Sequence, residues 1–347
     1  MRTVSNPHRD GPKLAPDAPY PSVDADRVAP LLAQCPAFAE TPLVTAENLA
    51  PVAALWVKDE RARMNLGSFK ALGAAYVIAR HAADVQDHPG ADTLKGHTYV
   101  TASAGNHGMS VAAGARVFGA KAVVHLADTV PESFAERLRA QGAEVARSGA
   151  DYAASMEAAA RDADDHGWTL LSDSSWKGYT DLPHTLMEGY LQMASEAVRQ
   201  CPEVPTHIML QAGVGGLAGA VAAYARHVWG NAPRVVVVEP EAAPALQASI
   251  EAGKSVVADG PDSIMGRLDC KEPSLIALNG LARDADDFMT MTDDEVAAVL
   301  DDLAEAGLAT SASGACGLAA VLREDARAAV GIGPDARVLC FLSEGPA

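Results

Sequence analysis

Gly67-Ser68-Phe69-Lys70-Ala71-Leu72-Gly73-Ala74 sets a lysine between an aromatic and a run of small apolar residues, directly after Asn65-Leu66-Gly67. The Ala-rich pattern predicts a helix over 70–80. A lysine opening an exposed helix is an ordinary surface residue. Here Phe69 on one side and Ala71-Leu72-Gly73-Ala74 on the other argue for burial. Burial disfavours the charged ammonium and so lowers its pKa. An amine of that kind can act as a Schiff-base nucleophile.

Two glycine-rich stretches lie downstream, each after a strand-like segment and before a helix-like one. Gln211-Ala212-Gly213-Val214-Gly215-Gly216-Leu217-Ala218-Gly219 is nearly bare of side chains. Its backbone N–H groups can approach an anion, and the helix N-terminus adds its dipole. No lysine follows where a nucleoside-triphosphate loop needs one, and the spacing is not GxGxxG. A phosphate monoester suits Gly213, Val214, Gly215, Gly216 and Leu217 better, although a tight strand-to-helix turn would carry the same residues. Ser103-Ala104-Gly105-Asn106-His107-Gly108 differs in character. Asn106 offers both a donor and an acceptor, and the small residues before it leave N–H groups free. Ser103, Ala104 and Gly105 can hold a substrate carboxylate while the Asn106 amide touches a phenolic oxygen. His107 belongs to the same loop and counts with it among the substrate-binding candidates, although in the first turn of a helix it reads as a packed residue.

Around these stretches strands and helices alternate. Strands are expected at 54–58, 97–101, 121–126, 143–147 and 169–171, with helices at 28–34, 108–118, 131–141 and 152–165. A second series has strands at 206–211, 234–239 and 337–342, with helices at 185–199, 217–229, 245–251, 293–305 and 313–324. Apart from its one helix, the segment 1–50 reads as an irregular arm. Such alternation implies parallel strands joined by helical crossovers. The four valines within 234–239 suit a strand buried on both faces. The expected fold is therefore α/β, with two intertwined domains, each a mostly parallel central sheet flanked by helices. The larger is expected to span residues 1–80 and 187–347, and a smaller one, 81–186, to carry the asparagine loop.

Composition narrows the function classes. The chain has 347 residues, 49% of them hydrophobic, enough for a sizeable core. A net charge of -18 speaks against a nucleic-acid partner, which would need stripes of lysine and arginine. The five cysteines are widely spaced and odd in number, which suits a reducing cytoplasm and no disulfide framework. Cys340 lies in an apolar run and reads as a buried small hydrophobe. The polar, proline-rich 1–26 segment lacks the apolar core of a signal peptide, and the apolar runs are too short for a membrane span. The ten histidines show no metal-ligand spacing, so no catalytic metal is expected. Asp59, Glu60, Arg61 and Arg63 read as structural ion pairs, with Arg63 the one placed to approach the mouth of a site.

Taken together, Ser-Phe-Lys at 68–70, Ser-Ala-Gly-Asn-His at 103–107 and the glycine loop at 213–217 resemble the tryptophan-synthase-β family of pyridoxal-phosphate enzymes (fold type II) over most of the chain. Thr101-Ala102-Ser103-Ala104-Gly105-Asn106-His107 is similar to the threonine-dehydratase branch. Phe69-Lys70-Ala71-Leu72-Gly73, Asp173-Ser174-Ser175-Trp176-Lys177-Gly178-Tyr179-Thr180 and Ile264-Met265-Gly266-Arg267-Leu268-Asp269-Cys270-Lys271-Glu272-Pro273-Ser274 resemble the diaminopropionate ammonia-lyase branch, and cover more sequence.

The resemblance implies that Lys70 forms the Schiff base with pyridoxal 5′-phosphate and moves protons at Cα. It implies that Asn106 contacts the cofactor's O3′, that the glycine loop holds its phosphate, and that Ser343, at the end of the last strand, faces its ring nitrogen. Asp173 becomes a candidate helper at the β-carbon. One departure stands out: the ammonia-lyases carry an aspartate where this chain has Ala104. Arg267 and Lys271 stand where those enzymes have small residues. Arg267 either faces a second anionic group on the substrate or lies at the surface, and Lys271 reads as solvent-exposed. The implied activity is β-elimination from a 2,3-diaminopropionate-like amino acid to a 2-oxo acid and ammonia, by a homodimer. The alternatives are a serine/threonine or 3-hydroxyaspartate dehydratase, a β-replacement synthase, and a non-catalytic carrier on the same fold.

Overall fold

The computed structural model describes residues 1–346. Its strands, in chain order, are β1 (Arg2–Ser5), β2 (Leu43–Thr45), β3 (Ala54–Asp59), β4 (Thr98–Ala102), β5 (Lys121–Leu126), β6 (Glu144–Arg147), β7 (Thr169–Leu170), β8 (His207–Gln211), β9 (Arg234–Pro240), β10 (Asp287–Met291) and β11 (Arg337–Leu342). Seven form one sheet in the order β1-β10-β9-β8-β11-β3-β2, and four form a second in the order β6-β5-β4-β7. The smaller sheet is parallel throughout. The larger is parallel in its interior and antiparallel at both edges, where β1 pairs β10 and β2 pairs β3.

The larger sheet separates two cores, as a period-2 strand must when buried on both faces. Val235 and Val237 of β9 enter one core while Val236 and Val238 enter the other. Along β11, Leu339 and Phe341 alternate in the same way with Val338, Cys340 and Leu342. The first core continues under the smaller sheet through Tyr99 and Val124. The opposite face of that sheet closes over Val100, Ala102 and Val123 with Ala159 and Ala163.

The helices are α1 (Val28–Leu32), α2 (Lys70–Val85), α3 (Asn106–Val117), α4 (Glu132–Ala140), α5 (Tyr152–His166), α6 (Asp181–Gly189), α7 (Leu191–Gln200), α8 (Gly216–Trp229), α9 (Ala245–Ala252), α10 (Leu275–Asp284), α11 (Asp293–Ala297), α12 (Leu300–Glu305), α13 (Ala312–Leu322) and α14 (Glu324–Val330). The single helix expected at 185–199 is two, divided at Tyr190. There α6 presses on α2: a Cβ added at Gly189 would stand 2.7 Å from the Leu72 carbonyl oxygen. The helix expected at 293–305 is likewise α11 and α12. The irregular arm contains two edge strands, β1 and β2, which the sequence reading left out. The expected domain boundaries at 80/81 and 186/187 fall inside α2 and α6.

Beneath the segment leading to Lys70 lies a fully buried charge network. Lys58 and Arg63 each reach Glu196 at 2.6 Å, and Arg63 reaches Glu60 at 2.7 Å. Thr41 donates to Glu60 at 2.6 Å. Arg63 is a structural member of this network with no exposed surface, as its reading as an ion-pair residue has it, and it does not approach the mouth of a site. Isolated charges so deep would be prohibitive, and only their mutual pairing makes the burial tolerable.

Candidate active site

Lys70 opens α2, and the turn before it is fastened to the end of β11. The Phe69 N–H donates to the Ser343 carbonyl at 3.1 Å, and Gly345 N–H donates to the Gly67 carbonyl at 3.0 Å. Gly67 takes a φ of 75°, which a residue with a side chain adopts only with strain. This pairing sets the lysine beside buried Ser343.

The Lys70 ammonium is ion-paired with Asp173. Burial alone would lower the lysine pKa, as the sequence suggested. The adjacent Asp173 carboxylate outweighs burial and raises it above the ordinary lysine value, which corrects the expectation of a depressed amine. Conversely, burial pushes Asp173 up, but the Lys70 charge prevails and holds it well below the usual carboxylate range. Asp173 lies after β7 on a loop that is tied to the large sheet. Ser175 Oγ sits 2.7 Å from Ser274 Oγ and accepts from Ile276 N–H at 3.0 Å. Ser274 N–H donates to the Val214 carbonyl at 2.9 Å. The aspartate loop, the start of α10 and the glycine loop are thereby locked together.

The glycine loop is as bare as its sequence promised. Gly215 has a φ of 97° and caps α8, whose first-turn N–H groups have no partner within the helix. A Cβ at Gly213 would stand 3.0 Å from Leu268 Cα, and one at Gly215 would stand 2.9 Å from Ala277 Cβ. An added side chain has little room there, and the loop leads straight into the N-terminus of α8. A phosphate monoester fits this cradle.

The asparagine loop follows β4 of the smaller sheet. Gly105 caps α3, and the Asn106 amide donates to Glu344 Oε2 at 2.6 Å. Glu344 is buried. It also accepts from Ser311 Oγ and pairs with Arg267, whose guanidinium lies 3.2 Å from Oε1. Burial raises the Glu344 pKa despite Arg267. Arg267 thus turns inward to the Asn106–Glu344 pair and not to the surface. Lys271 is only partly exposed and pairs with Asp269 at 2.6 Å, which corrects its reading as a free surface lysine. His107 is buried with Nε2 2.8 Å from the Leu171 carbonyl, as suits a packing residue, while its Nδ1 finds no partner. Ser103 Oγ accepts from the Gly105 N–H at 3.3 Å, and Ala104 is half-buried beside it.

Two site residues escaped the sequence reading. Glu344 adjoins Ser343 and could have been flagged as an acid at the end of a buried strand. Tyr190 carried no signal, because its place follows from the break between α6 and α7. Its ring packs edge-on against Phe69, centroids 4.9 Å apart, and its hydroxyl is buried with no hydrogen-bond partner among the described residues. Burial raises the phenol pKa, with Lys70 and Asp173 both close enough to act on it.

Residues 35–344 match the family described as "Pyridoxal-phosphate dependent enzyme". The chain is 34% identical over 271 residues to a diaminopropionate ammonia-lyase of Salmonella typhimurium, covering 70% of this chain and 66% of that enzyme, about two thirds of its length. It is 30% identical over 305 residues to a probable D-serine dehydratase of Chromobacterium violaceum, covering 78% and 67%. The crystal structure of Escherichia coli diaminopropionate ammonia lyase, in complex with an aminoacrylate-PLP azomethine reaction intermediate, superposes with a TM-score of 0.86. That match has 29% identity and covers 99% of this chain and 93% of the other.

Proposed function

Because the chain belongs to the family of pyridoxal-phosphate dependent enzymes, we propose that it is a β-eliminating ammonia-lyase acting on a 2,3-diaminopropionate-like amino acid. The observation that carries this reading is the Lys70–Asp173 pair, held between a bare glycine cradle and an asparagine loop. Pyridoxal 5′-phosphate, when bound, supplies the electron sink that takes up charge developing at the substrate Cα. The chain's own residues do the rest. Gly213, Val214, Gly215, Gly216 and Leu217 hold the phosphate through backbone donors. Asn106 and Ser343 orient the ring, and Ser103, Ala104, Gly105 and Arg267 face the substrate. Lys70 Nζ accepts the α-proton. Asp173 holds the resulting ammonium and stands where a proton can pass to the departing β-amine. Residues 81–186 are proposed as the smaller domain that moves against 1–80 and 187–347, and the working unit as a cytoplasmic homodimer.

Elimination from diaminopropionate with hydrolysis yields one keto acid and two ammonia, whereas serine yields one of each. The test is to measure both products with 2,3-diaminopropionate, serine, threonine and 3-hydroxyaspartate. Two ammonia per keto acid from diaminopropionate supports the reading. A new amino acid in place of the keto acid would make the enzyme a β-replacement synthase. The second reading, a dehydratase, is favoured by one observation: Ala104 stands where the resembling ammonia-lyases carry an aspartate. Turnover confined to hydroxyl-bearing amino acids would select it.

A further inference from the structure

We infer that Tyr190 is a further cofactor-binding residue, whose phenol donates a hydrogen bond to the phosphate group held by the 213–217 loop. The inference rests on the reading of that loop as a phosphate cradle.

A buried tyrosine hydroxyl nearly always finds a partner, because leaving it desolvated and unbonded is costly. The Tyr190 hydroxyl has none among the described residues, although the side chain is only 1% exposed. Its position says what it awaits. One ring edge lies against Gly73, where an added Cβ would come 2.8 Å from Cε1. The other lies against Gly216, the first residue of α8, where an added Cβ would come 3.2 Å from Cε2. The two glycines make room for the ring, and the hydroxyl, carried between those two edges, is set beside the helix N-terminus and the lysine. Lys70 and Asp173 are engaged with each other. The raised pKa keeps the phenol protonated, so at neutral pH it is a donor beside the first-turn backbone N–H groups of α8. Only a ligand rich in acceptors satisfies all of them together, and a phosphate dianion is that ligand.

The consequence separates this role from a packing role. Without cofactor the hydroxyl makes no bond, so Tyr190→Phe removes nothing that holds the cofactor-free fold. With cofactor the same change removes one charge-assisted bond. The experiment strips the full-length protein and its Tyr190→Phe variant of cofactor. Each is then titrated with pyridoxal 5′-phosphate and with pyridoxal, following the lysine-linked visible band. Thermal midpoints of the cofactor-free forms are recorded as well. The expected result is about tenfold weaker pyridoxal-phosphate binding in the variant. Pyridoxal affinity should be unchanged, and the cofactor-free midpoint equal or higher. Equal affinity for pyridoxal phosphate, an equal loss with pyridoxal, or a lowered cofactor-free midpoint would each overturn the inference. If the unaltered protein forms no band with either aldehyde, the cradle reading itself fails, and the inference falls with it.

Discussion

At Lys70 two forces act on one amine. Burial disfavours its charge, and Asp173 restores it, so without cofactor the pair rests as ammonium and carboxylate, and the amine must give up its proton before it can attack an aldehyde or take the substrate's α-proton. Because the lysine value is raised, its contribution to stability is complete below the unfolded lysine value of about 10.4 and is lost as pH rises through the folded one. Because the aspartate value is lowered, its contribution is complete above about 3.9 and is lost as pH falls. Asp173→Asn removes the main opponent of burial, so the Lys70 pKa should drop. We expect this variant to link pyridoxal phosphate faster at neutral pH, since only the free amine attacks an aldehyde, yet to turn over about 10²- to 10⁴-fold more slowly. Stopped-flow absorbance checks the first outcome and keto-acid release the second; unchanged linking kinetics would remove Asp173 from control of the amine. Lys70→Ala should abolish both the visible band and turnover, and borohydride reduction of the unaltered protein followed by peptide mass spectrometry should place a pyridoxyl group on Lys70. A label on another lysine would refute the assignment.

At the scale of elements, the buried ion network fixes β3 and the segment before Lys70 against α7. Removing one member strands charges that have no water, so Glu196→Gln should cost about 3–5 kcal/mol in urea unfolding. A change within about 0.5 kcal/mol, the range of an ordinary surface substitution, would contradict it. Glu196 is held down to about 2, chiefly by Arg63 and Lys58 against the opposing effect of burial. Its share of stability is therefore complete above the unfolded glutamate value of about 4.3 and fades as pH falls toward about 2. Gly215→Ala places a Cβ at a positive φ and 2.9 Å from Ala277 Cβ. If the loop shifts to relieve strain of about 1–2 kcal/mol, the pyridoxal-phosphate dissociation constant should rise about five- to thirtyfold. Unchanged affinity in a spectroscopic titration would show that the cradle tolerates the side chain.

The same elements show what the sequence carried. Both glycine-rich loops, the four-valine strand β9 and the last strand β11 were legible, because local pattern alone dictates a bare turn or a strand buried on both faces. The break at Tyr190 was not, since it comes from Gly189 pressing on the α2 backbone, a contact between segments more than 100 residues apart in the chain. Strand β10, Asp-Phe-Met-Thr-Met, was missed because charges before it and few β-branched residues within it hide a strand that only its neighbours β1 and β9 define. The Asn106–Glu344–Arg267 chain was equally invisible, being assembled from three distant segments by the closing of the fold.

Across the whole molecule, two largely parallel sheets share one core, and the proposed site lies where the loops of both converge. The lysine and the glycine cradle come from the larger sheet's side, the asparagine loop from the smaller. The most direct measurement records the visible spectrum of the purified protein as 2,3-diaminopropionate is added, with keto acid and ammonia followed in the same cuvette. The account predicts a lysine-linked band that shifts on addition and decays back as one keto acid and two ammonia appear. A band that ignores diaminopropionate and responds only to serine, threonine or 3-hydroxyaspartate would contradict the ammonia-lyase assignment, and the absence of any lysine-linked band would contradict the role given to Lys70.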